Sequence, residues 1–412
     1  IDLATLQARR LTEAVLNANA GFPYSWLPDG SGLLARVVPS SRTSLIDADK
    51  SVPEGPVVSV SDGQVSQNRT YQDLLQNSID ENNFEILMTS ELYEVSLDSS
   101  ATLWKEAGMF VDHEFSPDGR YVMVTTLAKP FSYVVPYYSF PNQTDIYTAN
   151  GEFLINFSKQ PLLDNLPVGF MATFEGKRYI HWRSDKPSTL AWVEALDKGD
   201  PAVEAEYRDE LFQVESPFNG TPTSLIKMNH RVSGITWGND TYAVVQDRWW
   251  NTRNTKTYLF NPSNNSLPAR VLSDRNYQDL YNHPGVFQTK KNEQGQYTLL
   301  MDGHTAYLFG DGYSPEGQFP FIDELDLRTL EKRRIYQSTA TNQMEDLVSF
   351  IDSKQGTLIT RIESPQMFPN YYIRNLRKRI GNIPLTSFEN PFKSIEGVHK
   401  EVINYQRADG LE

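Results

Sequence analysis

The sequence predicts an all-β protein of the β-propeller class. A strand–turn–strand unit recurs along the 412 residues, and it alternates with a second, more polar strand unit. Aromatic residues are abundant, with 21 Tyr, 21 Phe and 7 Trp, while 24 Gly and 24 Pro punctuate the chain. Because aromatic residues favour strands and Gly and Pro favour tight turns, this composition indicates many short strands.

The recurring unit is built on a Pro-Asp-Gly turn. Residues 26–35 (WLPDGSGLLA) and 115–124 (FSPDGRYVMV) each contain a strand end, this turn and an apolar strand. Proline fixes φ at the first turn position, aspartate hydrogen-bonds to its own backbone, and glycine accepts a positive φ. The turn therefore joins two antiparallel strands, and degenerate copies occupy residues 181–193, 234–245 and 348–360.

The second unit is a strand, a turn and a polar edge strand. Its clearest copy is residues 322–336, and its relatives are residues 91–97, 145–151 and 258–262. Repeats of roughly 40–55 residues with four short strands each are the signature of a β-propeller, whose blades pack their apolar faces on one another. The opening residues 1–5 resemble this second unit, which predicts that the chain begins in the outer half of a repeat.

The spacing predicts about six four-stranded blades. Their centres are expected within residues 25–100, 108–158, 166–215, 230–273, 284–337 and 345–385. The first blade carries an insertion, in which residues 40–67 are rich in Ser, Pro, Asp and Gly and predict an exposed loop. Residues 70–83 predict a short helix with Leu74, Leu75 and Ile79 on one face.

Composition argues against several classes of protein. The net charge of −14 argues against nucleic acid as a partner, because binding its backbone requires clusters of Lys and Arg. No window approaches the roughly 18 consecutive apolar residues of a membrane span. The chain contains no Cys, which excludes disulfides, thiolate metal sites and a Cys nucleophile within it. The compartment stays open, with a soluble periplasmic or secreted protein favoured.

No motif in the chain predicts a catalytic residue, a metal ligand or a cofactor site. Residues 312–317 (GYSPEG) approach the Gly-x-Ser-x-Gly nucleophile elbow, but the last Gly comes one place late and Pro315 opposes the helix that must follow. A hairpin loop is the favoured interpretation. His113 and Glu114 lack a second His at helical spacing, which excludes a zincin site.

One cluster predicts binding. Arg248, Trp249, Trp250 and Arg253 follow the apolar strand at residues 242–245. Two guanidinium groups beside two indole rings offer bidentate recognition of an anion against aromatic walls. The alternative, favoured by the residue types alone, is packing between blades with Arg stacked on Trp.

Several runs spread over nearly the whole chain carry a resemblance to a known family. They are residues 26–39, 131–141, 182–187, 191–201, 234–238, 248–250, 364–372 and 400–405. As a set they resemble the propeller of the prolyl oligopeptidase family of serine peptidases, in its glutamyl endopeptidase-like branch. In that family a propeller precedes a C-terminal α/β-hydrolase domain that carries a Ser-Asp-His triad.

The resemblance implies a division of the chain. Residues 1–390 would form a propeller, incomplete on its N-terminal side, whose parent has seven or eight blades. Residues 391–412 would be a linker and the first strand of the hydrolase domain, with Glu401, Ile403 and Tyr405 on one face of that strand. Residues 407–410 (RADG) signal a hairpin whose second strand lies beyond the chain. The triad would then lie outside the chain, which alone would be inactive.

The expected function is a non-catalytic propeller that gates and orients peptide substrates for a hydrolase domain of the same polypeptide. If the parent protein cleaves after acidic residues, Arg248 or Arg253 would pair with the substrate carboxylate. Two alternatives stay open. One is a non-enzymatic propeller scaffold or binding module, and the other is a propeller glycosidase with paired carboxylates, for which the sequence shows no specific pair.

Overall fold

The computed structural model describes residues 4–47, 50, 70–378, 381–395, 397–398, 401 and 403–411. Six antiparallel sheets of four or five strands follow one another along this part of the chain, together with two short two-stranded sheets. This architecture confirms the predicted all-β propeller with about six four-stranded blades. Contacts within the protein define two compact units, residues 1–277 with 289–299, and residues 278–288 with 300–412.

The first unit contains four sheets whose strands pair in chain order. Sheet 1 contains β1 (Tyr24–Trp26), β2 (Gly32–Val37), β3 (Ser90–Ser96) and β4 (Ala101–Gly108), and sheet 2 contains β5 (Phe110–Phe115), β6 (Tyr121–Leu127), β7 (Asn142–Thr148) and β8 (Phe153–Gln160). Sheet 3 contains β9 (Arg178–Trp182), β10 (Thr189–Ala195), β11 (Asp209–Glu215) and β12 (Thr223–Met228), and sheet 4 contains β13 (Arg231–Trp237), β14 (Ala243–Trp249), β15 (Asn254–Phe260) and β16 (Arg270–Asn276). Sheet 3 extends beyond the expected blade region because β12 forms a fourth, partly exposed strand.

The first unit also contains a small hairpin, formed by β18 (Thr289–Lys291) and β19 (Tyr297–Leu299).

The second unit contains two larger sheets and a short hairpin. Sheet 5 contains β17 (Val286–Phe287), β20 (Met301–Asp302), β21 (Thr305–Gly310), β24 (Phe321–Asp326) and β25 (Lys332–Gln337), and the hairpin contains β22 (Tyr313–Ser314) and β23 (Gly317–Gln318). Sheet 6 contains β26 (Met344–Asp352), β27 (Thr357–Ser364), β28 (Met367–Asn375) and β29 (Ile383–Pro384). The hairpin at residues 313–318 agrees with the hairpin interpretation of the GYSPEG run.

The Pro-Asp-Gly turns form as predicted. Gly30 (φ +73°) and Gly119 (φ +72°) adopt the left-handed conformation that glycine accepts without steric cost. The amide of Gly30 donates to the carbonyl of Leu27, and the amide of Gly119 donates to that of Ser116, both at 2.8 Å. These turns join β1 to β2 and β5 to β6.

The core of the first unit lies between successive sheets, because the buried face of each sheet is apolar. Sheets 1 and 2 share a cluster with Leu34, Leu92, Phe110, Phe115, Val122, Val124 and Tyr147. Sheets 2 and 3 share Met123, Ile146, Phe157, Trp182, Leu190, Trp192, Val214 and Phe218. Sheets 3 and 4 share a cluster that includes Val193, Leu211, Met228, Val232, Trp237, Val245 and Phe260. This stacking agrees with the half-buried strand patterns of the sequence.

The predicted helix exists but is displaced along the chain. Helix α1 spans Ser78–Met88, so the predicted face of Leu74 and Leu75 precedes it. The Asn77 side chain caps the helix by accepting a hydrogen bond from the amide of Asp80, and this cap sets where the helix begins. Within the described residues, no helix has the length and hydropathy needed to cross a membrane.

Part of the predicted loop and tail lies outside the described residues. Residues 48–49 and 51–69 of the insertion are in this category, whereas residues 43–47 are exposed as expected. In the tail, the amide of Gly410 donates to the carbonyl of Arg407, which forms the predicted turn. Residues 401 and 403–406, where the sequence predicts a strand, are not in a strand, and residues 399, 400 and 402 lie outside the described residues. The domain boundary at residue 390 stays a prediction.

Candidate functional site

The predicted binding cluster lies where β14 turns into β15. These strands pair from Ala243–Phe260 to Trp249–Asn254, which leaves residues 250–253 as the connecting turn. A buried carboxylate anchors the base of this hairpin, because Asp247 accepts hydrogen bonds from the Tyr258 hydroxyl at 2.9 Å and the Lys256 amide at 3.0 Å. Burial raises the pKa of Asp247.

Arg253 and Trp250 hold each other in place on the turn. The Arg253 guanidinium lies 3.9 Å from the centroid of the Trp250 ring, and its Nη1 donates to the Trp250 carbonyl at 2.6 Å. Arg253 has a φ of +55°, an uncommon conformation for a residue other than glycine. The Trp250 ring also contacts Phe170, with centroids 4.9 Å apart, and both rings are exposed. A cation is therefore fixed against an exposed aromatic wall.

Arg248 joins this group through Tyr277, which follows β16. Its guanidinium lies 4.5 Å from the centroid of the Tyr277 ring, and Nη1 of Arg253 lies 3.4 Å from the Tyr277 hydroxyl. Desolvation alone would raise the pKa of Tyr277, but hydrogen bonding with Arg248 and Arg253 outweighs it and lowers that pKa. Two guanidinium groups thus converge on one hydroxyl.

The two arginines are available to an anion. Neither Arg248 nor Arg253 forms an ion pair with a carboxylate among the residues that the structure describes. Arg248 is exposed and Arg253 is half-buried. We call Arg248, Trp250, Arg253, Tyr277 and Phe170 the arginine surface.

Trp249 is not part of the arginine surface. It is 7% exposed and lies between the His230 ring, with centroids 5.9 Å apart, and the Arg208 guanidinium, 4.1 Å from its own centroid. Successive side chains of a strand point to opposite faces, which separates Trp249 from Arg248. The alternative of Arg–Trp packing between blades therefore describes Trp249, although its partner is Arg208, which directly precedes β11, and not a neighbour in sequence.

A buried ion-pair network adjoins Trp249 and joins sheets 3 and 4. Asp197 pairs with Arg208 and Arg231 at 2.7 Å each, and Asp209 pairs with Arg178 at 2.6 Å and with Arg231 at 3.0 Å. Burial raises the pKa of Asp209 against the opposing effect of its arginine partners. Such a network is expensive to break, since removing one partner leaves a buried charge uncompensated.

Sequence reasoning missed Tyr277, Phe170 and the ion-pair network. Tyr277 and Phe170 lie in connecting segments, and only the fold brings them to the hairpin turn. The aspartates and arginines of the network lie in β9, β11, β13 and the β10–β11 connection and carry no local motif, and their pairing depends on which sheets are neighbours. Within the described residues, no three His, Asp or Glu side chains converge as metal ligands.

No family model matches the chain. It is 32% identical over 429 aligned positions to the probable chloroplastic glutamyl endopeptidase of Oryza sativa subsp. japonica, an alignment that covers 100% of this chain and 45% of that protein. It is 33% identical over 409 positions to the corresponding protein of Arabidopsis thaliana, covering 94% of this chain and 42% of that protein. The chain thus spans less than half the length of these relatives.

Likeness to solved structures is looser. The structure of dipeptidyl peptidase 4 of Porphyromonas gingivalis aligns with 90% of this chain and with 54% of its own chain, at a TM-score of 0.44 and 15% identity. The sequence relationship to the plant proteins extends over the whole chain. Over its whole length the chain is therefore similar to a part of two probable glutamyl endopeptidases, which confirms the resemblance seen in the sequence.

Proposed function

We propose that this propeller gates and orients peptide substrates for an α/β-hydrolase domain of the same polypeptide. The observation that carries the proposal is the relationship of the whole chain to two probable glutamyl endopeptidases that are more than twice its length. The Ser-Asp-His triad would lie in the rest of the polypeptide. The propeller would occupy residues 1–390, and residues 391–412 would lead into the hydrolase domain.

The exposed apolar residues near the end of the chain support a contact with another domain. Six of them are between 54% and 73% exposed, namely Phe388, Phe392, Ile395, Val398, Ile403 and Tyr405. Large exposed apolar side chains this close together in the sequence favour an interaction site. A hydrolase domain packed on this segment would remove that surface from water.

The arginine surface would supply preference for acidic residues. A substrate carboxylate could replace the Tyr277 hydroxyl as the acceptor between Arg248 and Arg253, because the two guanidinium groups already converge there. Stacking of Arg253 on Trp250 fixes the cation before binding, which reduces the side-chain entropy lost on binding. Trp249 would act only indirectly, through the packing between sheets 3 and 4.

The gating role is tested with the full-length protein. A flexible peptide with one cleavage site and a stably folded protein that displays the same site would be compared by kcat/KM. Gating predicts that the peptide is cleaved at least about a hundredfold faster, and the same protein substrate after unfolding should recover most of that rate. Equal rates for the folded and unfolded substrates would refute gating, and absence of any peptidase activity would favour the scaffold alternative.

The specificity role is tested with two charge-removing variants. Arg248→Gln and Arg253→Gln should each reduce the preference for Glu over Gln at the cleaved position about tenfold or more, since a charge-assisted hydrogen bond contributes roughly 1.5–3 kcal/mol. Arg270→Gln, on the outer strand of the same sheet, is the matched control and should leave the preference unchanged. An unchanged preference in both test variants would remove the arginine surface from substrate recognition while leaving the gating proposal intact.

A further inference from the structure

A polar cleft of about 430 Å³ lies against sheet 2 and the start of sheet 3, and no residue of the arginine surface lines it. Its lining includes Asp112, Thr125, Thr144, Ser158, Lys177 and Arg178. Both sheets belong to the first unit. A cleft so rich in hydroxyl and charged groups is unusual for a boundary between blades, where apolar packing is expected.

Strand register explains why this face of sheet 2 changes from apolar to polar. Asp112 pairs with Thr125, Thr125 with Thr144, and Thr144 with Ser158, so these four side chains form one row across the sheet. The preceding row on the same face holds Glu114, Met123, Ile146 and Ile155, and its three apolar residues pack in the core between sheets 2 and 3. The apolar contact between sheets 2 and 3 therefore ends at the row of Met123 and Ile146. The cleft begins at the next row, which contains Thr125 and Thr144.

Lys177 places a cation at the wall of the cleft. Its Nζ lies 3.9 Å from the centroid of the Phe157 ring and 5.0 Å from that of Trp192, and it donates to the Phe157 carbonyl at 2.9 Å. A break in the β7–β8 register at Phe157, a β-bulge, accompanies this contact. Burial lowers the pKa of Lys177 against the opposing effect of the nearby Glu194 carboxylate.

Arg178 places a second, incompletely satisfied cation beside Lys177. Its Nη2 pairs with Asp209 at 2.6 Å, but its Nε is buried and has no acceptor among the described residues. The buried network to which it belongs holds three arginines and only two aspartates, so it carries one uncompensated positive charge. Buried polar groups are almost always hydrogen-bonded, and an unpaired one calls for an explanation.

We propose that this cleft is a carboxylate-binding site. Nζ of Lys177 is the charged donor, the positive charge of Arg178 lies beside it, and the hydroxyl groups of Thr125, Thr144 and Ser158 contribute the polar wall. The class of ligand is a peptide or small organic acid that presents a single carboxylate. Asp112, at the end of the same row, disfavours a second negative charge there. The inference goes beyond the proposed peptidase role and does not depend on it.

The test is a calorimetric titration of the full-length protein carrying Arg248→Gln and Arg253→Gln, so that the arginine surface does not contribute. The probes are N-acetylglutamic acid α-amide, which has a side-chain carboxylate, its neutral analogue N-acetylglutamine α-amide, and N-acetylalanine, which has a terminal carboxylate. Both carboxylates should bind at least about tenfold more tightly than the neutral analogue. Comparison of the two affinities shows whether the cleft prefers a side-chain carboxylate or a terminal carboxylate.

Two variants with opposite expected effects on carboxylate affinity test whether binding occurs in the cleft. Lys177→Met keeps the apolar stem on Phe157 and should weaken carboxylate binding about tenfold, whereas Asp112→Asn should strengthen it about threefold. Lys159→Met is the control, because Lys159 lies between Ser158 and Gln160 on the opposite face of β8 and should have no effect. Equal binding of the neutral analogue, or carboxylate binding that responds to neither Lys177→Met nor Asp112→Asn, would overturn the proposal. Since Asp112→Asn predicts a gain, the test does not rely on a variant that merely loses its fold.

Discussion

Replacing Glu114 by glutamine should stabilise the folded protein at pH 8 and do so much less at pH 5. Glu114 lies on β5 opposite Met123, at the edge of the core between sheets 2 and 3. No hydrogen bond or ion pair to its carboxyl group is found among the described residues. Burial, with a smaller contribution from the negative charge of Asp112, raises the pKa of Glu114 to about 7.

The size and sign of the effect follow from proton linkage. A rise from the ordinary 4.5 to about 7 corresponds to about 3 kcal/mol of folding free energy, at roughly 1.36 kcal/mol per pH unit. Because the folded-state pKa lies above the unfolded value, the protonated carboxyl is compatible with the fold below pH 4.5. Stability is then lost progressively up to about pH 7, where the carboxylate must remain in a partly buried site. Glu114 retains some contact with water, so 3 kcal/mol is an upper bound.

The assay is urea unfolding at pH 5, 6, 7 and 8, with the free energy of unfolding compared between the parent and Glu114→Gln. The difference should grow from below about 1 kcal/mol at pH 5 to about 2–3 kcal/mol at pH 8. Asp112→Asn should give a smaller gain because it removes only the like-charge contribution, and the exposed Glu152→Gln should give none. A stability difference that stays constant across these pH values, or a loss of stability at pH 8, would refute the reasoning.

Two further predictions concern the buried network and a glycine. Asp197→Asn should destabilise the protein by about 3–5 kcal/mol in urea unfolding, because it leaves Arg208 and Arg231 without the carboxylate that they share; a cost below about 1 kcal/mol would show that the network is dispensable. Gly312→Ala should lower the unfolding temperature by several degrees more than Gly295→Ala, since both glycines have a positive φ but only at Gly312 would a Cβ overlap the carbonyl oxygen of Phe319. Equal shifts for the two glycine variants would show that the overlap is relieved without cost.

Much of the fold could be predicted from turn residues that are adjacent in the sequence. The Pro-Asp-Gly turns at Gly30 and Gly119 determine their hairpins through residues that are adjacent in sequence, and six sheets formed near the expected positions. The helix was displaced because its start depends on the cap at Asn77, while the apolar spacing that suggested it begins earlier. Sheet 3 extended further than expected because β12 has only a weak alternating pattern.

The sites were less accessible to sequence reasoning because they depend on neighbours distant in the chain. The cluster at residues 248–253 was found, but Trp249 separated from Arg248 and Trp250 once strand direction was known. Simple alternation along β14 could have shown this in advance. The cleft residues Thr125, Thr144 and Ser158 come from three strands, and only register places them in one row. No motif search along the chain can detect such a row.

The ion-pair network has a consequence for engineering chimaeric propellers. Arg231 enters with sheet 4, while the carboxylates that neutralise it arrive with sheet 3, so the two sheets form an inseparable electrostatic module. A crossover between residues 228 and 231 would take either Arg231 or its two aspartate partners from a different parent protein. The charges that remain would then be buried without their partners. Recombination points between sheets 1 and 2, which meet largely through aliphatic and aromatic packing, should be tolerated far better.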